Sequence, residues 1–75
     1  VVGAEFDAVV EDAFQNLPDG FRRAIELVDI GGLSYAEAAE LMNVPEGTIM
    51  SRIHRARKRI RDRLAIAGFA PRSKK

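Results

Sequence analysis

The stretch LSYAEAAELMNVPEGTIMSRIHRARKRIRDRL, residues 33–64, determines the fold of this chain. It contains two helical patterns joined by the three residues Asn-Val-Pro at 43–45. The first pattern opens with a capping box, in which the Ser34 hydroxyl accepts the Glu37 amide and the Glu37 carboxylate accepts the Ser34 amide. Because Pro45 disfavours helical geometry in the residue before it, one helix ends near residue 42 and another begins near residue 46.

The two helices of this stretch are predicted to cross closely. The first buries Ala38, Ala39, Leu41 and Met42, and its two alanines are small enough to let a neighbouring helix approach. The second carries one narrow apolar stripe with spacings of four, three, four and four residues, formed by Ile49, Ile53, Ala56, Ile60 and Leu64. Two short helices joined by a tight turn in this way predict a helix-turn-helix.

Upstream of this stretch the apolar spacing predicts two more helices. Phe6, Val9, Val10, Ala13, Phe14 and Leu17 lie three or four residues apart, with acidic residues between them. Pro18 is suited to open a second helix, which the glycines at 31–32 end. We therefore predict an all-α, four-helix domain at residues 1–70 that contains a helix-turn-helix, with helices at 4–16, 18–30, 35–42 and 46–67. A basic flexible tail is predicted at 71–75.

Composition narrows the functional class. The 75 residues include no cysteine, so a disulfide framework and a thiolate zinc site are excluded. We expect no cofactor, and neither a membrane-spanning segment nor a leader peptide is recognisable, which predicts a soluble cytoplasmic protein that does not bind membranes. Because the chain begins with Val1 and not methionine, it is expected to be a fragment of a longer protein.

The net charge of +1 conceals two regions of opposite sign. Residues 1–46 contain two basic and ten acidic side chains, a net charge of −8, whereas residues 47–75 contain ten basic and one acidic, a net charge of +9. Six arginines, one lysine and one histidine lie within residues 44–64, and only Asp62 is placed to pair with one of them, Lys58. This asymmetry predicts a surface that binds a polyanion.

Nucleic acid is the polyanion that a helix-turn-helix suits. The outward face near the start of the last helix presents three side chains able to reach base edges, Ser51, His54 and Arg55, with Arg55 suited to a bidentate guanine contact. Phosphate contacts are predicted for side chains at the two helix starts and farther along the last helix, namely Thr48, Ser34, Tyr35, Lys58 and Arg59.

Each of these assignments has a structural alternative. Arg55 and His54 can be solvent-exposed without a ligand, and Thr48 and Ser34 can act only as local helix caps. Arg52 flanks the apolar stripe, so it either contacts phosphate or pairs with Glu37.

The blocks LSYAEAA at 33–39 and GTIMSRIHRAR at 47–57 resemble region 4 of sigma-70 family sigma factors, in particular the extracytoplasmic-function (ECF) group. The similarity extends over residues 17–60. It implies a bacterial transcription-initiation subunit that recognises the minus-35 promoter element and docks on the β-subunit flap of RNA polymerase core. Met50 and Val28 depart from the family pattern, which has basic residues at these positions in many members, so the resemblance does not specify the promoter sequence.

The resemblance also implies protein partners, because early helices of region 4 receive the polymerase flap and anti-sigma factors cover overlapping surfaces. Candidate partner residues are apolar, and core packing is the alternative role for each: Phe21, Ile25, Val28, Ile30 and Leu33. Two more apolar residues lie beyond the motif, Ile66 and Phe69, and either cap the core or meet a partner.

Other functional classes fit less well. Ser51 and His54 share a helix face, but no acid is placed to complete a catalytic triad, so we expect no enzymatic activity. The basic amphipathic helix lacks tryptophan and needs its stripe for the core, which disfavours binding to a membrane or to calmodulin. Two alternatives stay open, a helix-turn-helix regulator of another class and a fragment that acts mainly as the docking target of an anti-sigma or activator protein.

Overall fold

The computed structural model describes residues 2–69 of the chain, with side chains from residue 5 onward. Four α-helices and one π-helix account for most of this range, in the order α1 (Val2–Gln15), α2 (Asp19–Ile25), the π-helix (Glu26–Ile30), α3 (Tyr35–Met42) and α4 (Glu46–Ile66). No strand occurs in residues 2–69. The predicted all-α fold with four helices is confirmed, and the predicted tail at 71–75 lies outside the described residues.

The helix predicted at 18–30 is α-helical only as far as Ile25. The backbone widens into a π-helix at Glu26–Ile30, and the Gly31 amide donates to the Glu26 carbonyl five residues earlier at 2.8 Å. A Cβ at Gly31 would lie 2.9 Å from the Leu27 carbonyl oxygen, so glycine permits this tight closure. Gly32 then adopts a φ of 79°, which turns the chain towards α3.

The turn of the helix-turn-helix is a Schellman motif. Asn43 adopts the left-handed conformation at φ 58° and ψ 48°. The Val44 amide donates to the Ala39 carbonyl at 3.0 Å, and the Asn43 amide donates to the Glu40 carbonyl at 3.3 Å. Val44 packs against the buried core, and Pro45 precedes the first residue of α4. The turn therefore fixes the direction in which α4 leaves α3.

We expect Asn43→Ala to lower the free energy of unfolding by about 1 kcal/mol, because alanine tolerates left-handed geometry less well than asparagine. Asn43→Gly is the matched control, since glycine adopts the same φ without steric cost and should leave the stability unchanged or slightly higher. Urea denaturation followed by far-UV circular dichroism measures both. Equal losses in the two variants would mean that the backbone geometry at Asn43 does not limit stability.

Helix α4 is the centre of the core. Its apolar stripe contributes to two clusters of apolar side chains. One cluster consists of Ala24, Ala38, Ala39, Ile49 and Ile53. The other consists of Leu17, Ile25 and Ala56, with Phe14, Phe21 and Ile60 packed against them. Ile49 and Ile53 are the two largest side chains that are completely buried. One side of α4 is thus fully occupied by the domain itself, which leaves the opposite side for a ligand.

The prediction that Leu41 is buried was wrong, because its side chain is 66% exposed. Ala38, Ala39 and Met42 take the core-facing positions of α3. In a helix of about 100° per residue, Leu41 lies nearly opposite Ala39, so it points away from α4.

The C-terminal end of α4 is closed by a second Schellman motif. Gly68 adopts a φ of 95°, and the Phe69 amide donates to the Leu64 carbonyl at 2.7 Å. This reversal directs the Phe69 ring edge-to-face onto Phe6 of α1, with ring centroids 5.7 Å apart. Of the two predicted roles for Phe69, the structure thus supports contact with the domain's own α1.

Candidate nucleic-acid interface

The outward face of α4 carries the residues predicted to read bases. Ser51, His54 and Arg55 are all exposed, and they lie on the side of the helix opposite the buried Ile49 and Ile53. Thr48, in the first turn, is half-buried, whereas Lys58 and Arg59 farther along are exposed. The structure therefore brings these candidate residues together on one surface of one helix.

Two candidate residues, Ser34 and Tyr35, lie at the N-terminal end of α3. The capping box is confirmed, with the Glu37 amide donating to Ser34 Oγ at 3.0 Å and the Ser34 amide donating to Glu37 Oε1 at 2.8 Å. Tyr35 follows the cap and lines a shallow groove together with Met50, Ser51 and His54 of α4. In the sequence Met50 stands out only as a missing basic contact, whereas its place in this groove makes it a candidate site residue.

Arg57 also lines this groove, and its guanidinium is paired with Asp29. Its guanidinium donates twice to the Asp29 carboxylate, from Nε at 3.2 Å and from Nη2 at 2.7 Å. The hydrogen bond to Asp29 raises the pKa of Arg57 above its ordinary value. This bidentate pair fastens the π-helix to α4, and no sequence pattern pointed to it because the two residues are 28 positions apart.

Two further arginines of α4 contact the N-terminal helices. Arg63 forms an ion pair with Asp12 of α1. The Arg59 guanidinium lies over the Phe21 ring of α2, 5.5 Å from its centroid, in a cation–π contact. Arg59, predicted to contact phosphate, therefore has a structural role as well.

The alternative that pairs Arg52 with Glu37 was wrong. Glu37 is engaged in the capping box, and among the described side chains no Arg52–Glu37 contact lies within 4 Å. The Arg52 guanidinium instead lies against Gly20, where an added Cβ would be 3.2 Å from Arg52 Nη1. The missing side chain at Gly20 thus makes room for a cation near the start of α2.

The remaining basic side chains of α4 differ in whether they have an acidic partner. Lys58 pairs with Asp62 at 3.1 Å as predicted, but both side chains are at least 60% exposed, so the pair is weak. Within the described part of the chain, Arg55 and Arg61 have neither an ion pair nor a side-chain hydrogen bond. Arg55 is therefore the arginine in the first half of α4 that is both exposed and unpaired.

The candidate partner residues do not form one continuous exposed surface. Ile30 and Ile66 are 71% and 83% exposed, respectively. Ile25 lies in the core, Phe21 lies beneath Arg59, and Val28 and Leu33 are half-buried. Ile25 therefore packs in the core and is not accessible to a partner, whereas Ile30 and Ile66 are accessible.

Two kinds of feature are absent from residues 2–69. No helix there is both long enough and apolar enough to cross a membrane. No group of three or more histidine, aspartate or glutamate side chains in that range is arranged to hold a metal ion.

Comparison with known proteins gives consistent matches. The family model of sigma-70 region 4 matches residues 8–60. The ECF RNA polymerase sigma-E factor of Haemophilus influenzae is 41% identical over 64 residues, which cover 85% of this chain and 34% of that protein. The ECF RNA polymerase sigma factor SigE of Mycolicibacterium smegmatis is 47% identical over 64 residues, 85% of this chain and 23% of its own length. SigW of Bacillus subtilis is 39% identical, with 85% and 34% covered.

The chain thus spans about a third or less of each of these relatives. The family match includes α3, the turn, and α4 as far as residue 60. More than half of the chain lies within the matched range, and the three relatives named are all ECF sigma factors. The chain therefore belongs to the sigma-70 region 4 family, as the region 4 of an ECF-type sigma factor.

Proposed function

We propose that the chain binds promoter DNA sequence-specifically, with the N-terminal half of α4 in the major groove at the minus-35 element. The main support for this proposal is that Arg55 is exposed and has no carboxylate partner among the described residues. A guanidinium in this position can donate two hydrogen bonds to guanine O6 and N7. The buried stripe and the Schellman turn hold the helix that carries it.

Ser51 and His54 flank Arg55 and have the donors and acceptors that base edges require. Thr48 lies in the first turn of α4. Its amide donates to the Pro45 carbonyl at 3.0 Å, so its hydroxyl is the group that would meet a phosphate at this helix start. Arg52 supports a phosphate contact for a different reason. Its guanidinium lies beside the N-terminal end of α2, and the positive end of a helix dipole does not stabilise a cation. A DNA phosphate bound next to Arg52 would therefore offset this unfavourable interaction.

Lys58, Arg59, Ser34 and Tyr35 would complete the contact with the DNA backbone. The Lys58–Asp62 pair is exposed enough to be exchanged for a phosphate at little cost. Ser34 keeps a free hydroxyl hydrogen while its oxygen caps α3, so it can donate to phosphate without loss of the cap. These contacts would set affinity and position, whereas Ser51, His54 and Arg55 would set sequence preference.

RNA polymerase core is the protein partner that this proposal requires. The relatives are named as RNA polymerase sigma factors. We propose that the chain docks on the β-subunit flap as part of a sigma factor that initiates transcription in the bacterial cytoplasm. The exposed Ile30 and Ile66 are the apolar side chains most accessible for such docking, or for an anti-sigma factor that competes with it.

Selection from random duplex DNA tests the proposed DNA binding. We expect the chain to enrich one consensus, and a change at one of its central base pairs should weaken binding by about 5- to 150-fold. If about four phosphates are neutralised, the slope of log affinity against log salt is about −3.6. Enrichment of no consensus, with affinity independent of salt, would refute the proposal.

Pull-down tests the proposed docking on RNA polymerase. We expect core polymerase and the chain to bind each other, and pull-down with a flap peptide should be lost when an anti-sigma factor is added in excess. A chain that binds DNA but neither core polymerase nor the flap peptide would refute the docking proposal.

A further inference from the structure

Met50 is an exposed apolar residue on an otherwise polar part of α4. Its side chain is 51% exposed, and it is the only large exposed hydrophobic residue between residues 46 and 65. Met50 does not belong to either of the two core clusters, so the fold does not need it for packing. An apolar side chain at this position is therefore available for contact with a ligand.

The position of Met50 places it at the proposed base-reading surface. It is the fifth residue of α4, one turn before His54, and these two residues form a row next to the row of Ser51 and Arg55. Tyr35 of α3 lines the same groove as Met50, Ser51 and His54. Two adjacent rows on the outward side of one helix can touch neighbouring base pairs.

The chemistry of methionine restricts what it can recognise there. Its thioether is at most a weak hydrogen-bond acceptor, and its flexible side chain adapts to apolar surfaces. The only apolar group that base pairs present in the major groove is the C5-methyl of thymine. We propose that Met50 specifies an A·T pair by packing against a thymine methyl group, an inference that rests on the proposed DNA binding.

Replacement of thymine by deoxyuridine tests this proposal, because it removes the methyl group and leaves the base pairing intact. In the duplex selected by the chain, each thymine is replaced in turn and the affinity is measured by fluorescence anisotropy. We expect one replacement to weaken binding of the unaltered chain by about fourfold, as loss of one buried methyl predicts. Met50→Gln should bind the thymine and deoxyuridine duplexes equally, and Met50→Leu should keep most of the difference.

Leu41→Ala is the matched control, since Leu41 is also an exposed apolar residue but lies on α3 and points away from α4. It should retain the full fourfold difference. Thermal unfolding of each variant confirms the fold, and Met50 is exposed enough for its substitutions to leave stability unchanged.

Two results would overturn the inference about Met50 alone. One is a consensus duplex in which no thymine methyl affects affinity, and the other is a methyl effect that persists at full size in Met50→Gln. A chain that selects no DNA sequence would instead overturn the proposed function, and this inference with it.

Discussion

Ile53→Ala is expected to lower the free energy of unfolding by about 3–4 kcal/mol. The Ile53 side chain is 1% exposed and packs in the same cluster as Ala24, Ala38 and Ile49. The alanines in this cluster are already small, so they cannot extend into the cavity that the substitution leaves. A 75-residue domain has a total stability of about 4–11 kcal/mol, so the variant should lose a large part of it.

Urea denaturation of purified protein measures this loss, and the chain supplies a matched control on the same helix. Ile66→Ala removes the same atoms from a side chain that is 83% exposed, and its effect should stay within about 0.5 kcal/mol. Ile53→Val should fall between the two, at about 1 kcal/mol. Similar losses for Ile53→Ala and Ile66→Ala would contradict the central position of α4 in the core.

Arg55→Ala should have the largest effect on DNA recognition. We expect affinity for the selected consensus to fall by about 5- to 150-fold, because loss of a bidentate guanine contact costs about 1–3 kcal/mol. Affinity for random DNA should fall much less, since only one positive charge is lost. Arg55 is exposed and has no ion pair in residues 5–69, so the fold should be unaffected.

Lys58→Ala is the matched control for Arg55→Ala. It removes one charge from the same helix, so it should weaken consensus and random DNA by similar factors and reduce the magnitude of the salt slope by about one. Gel shifts over a series of salt concentrations measure both quantities. If Arg55→Ala also weakened the two DNAs equally, Arg55 would be a phosphate contact and the sequence-reading role would pass to its neighbours.

Local signals in the sequence predicted the helix-turn-helix well. The Ser34–Glu37 capping box, the bounds of α3 and the start of α4 depend on interactions between residues at most a few positions apart. The apolar stripe of α4 also predicted its buried side, because spacing along a helix maps directly onto its faces. These features place the candidate site on the outward surface.

The remaining features depend on contacts between distant residues. The π-helix changes the hydrogen-bond register by one residue and leaves apolar spacing almost unaltered, so periodicity could not distinguish it from an α-helix. Two contacts of α4 depend on how it packs against α2 and the π-helix. They are the pairing of Arg57 with Asp29 and the position of Arg52 against Gly20. Sequence therefore predicted which side of α4 is basic, but not which arginines are already occupied.

The contact between Phe69 and Phe6 has a practical consequence for attachments to this domain. It brings the residue that follows the Gly68 turn against the first half of α1, so these two parts of the chain lie together at one corner. Met50 is about 21 Å along α4 from Leu64, so this corner is remote from the proposed base-reading residues. A fluorophore attached at the exposed Glu5, next to Phe6, would therefore lie well away from the proposed DNA-binding surface.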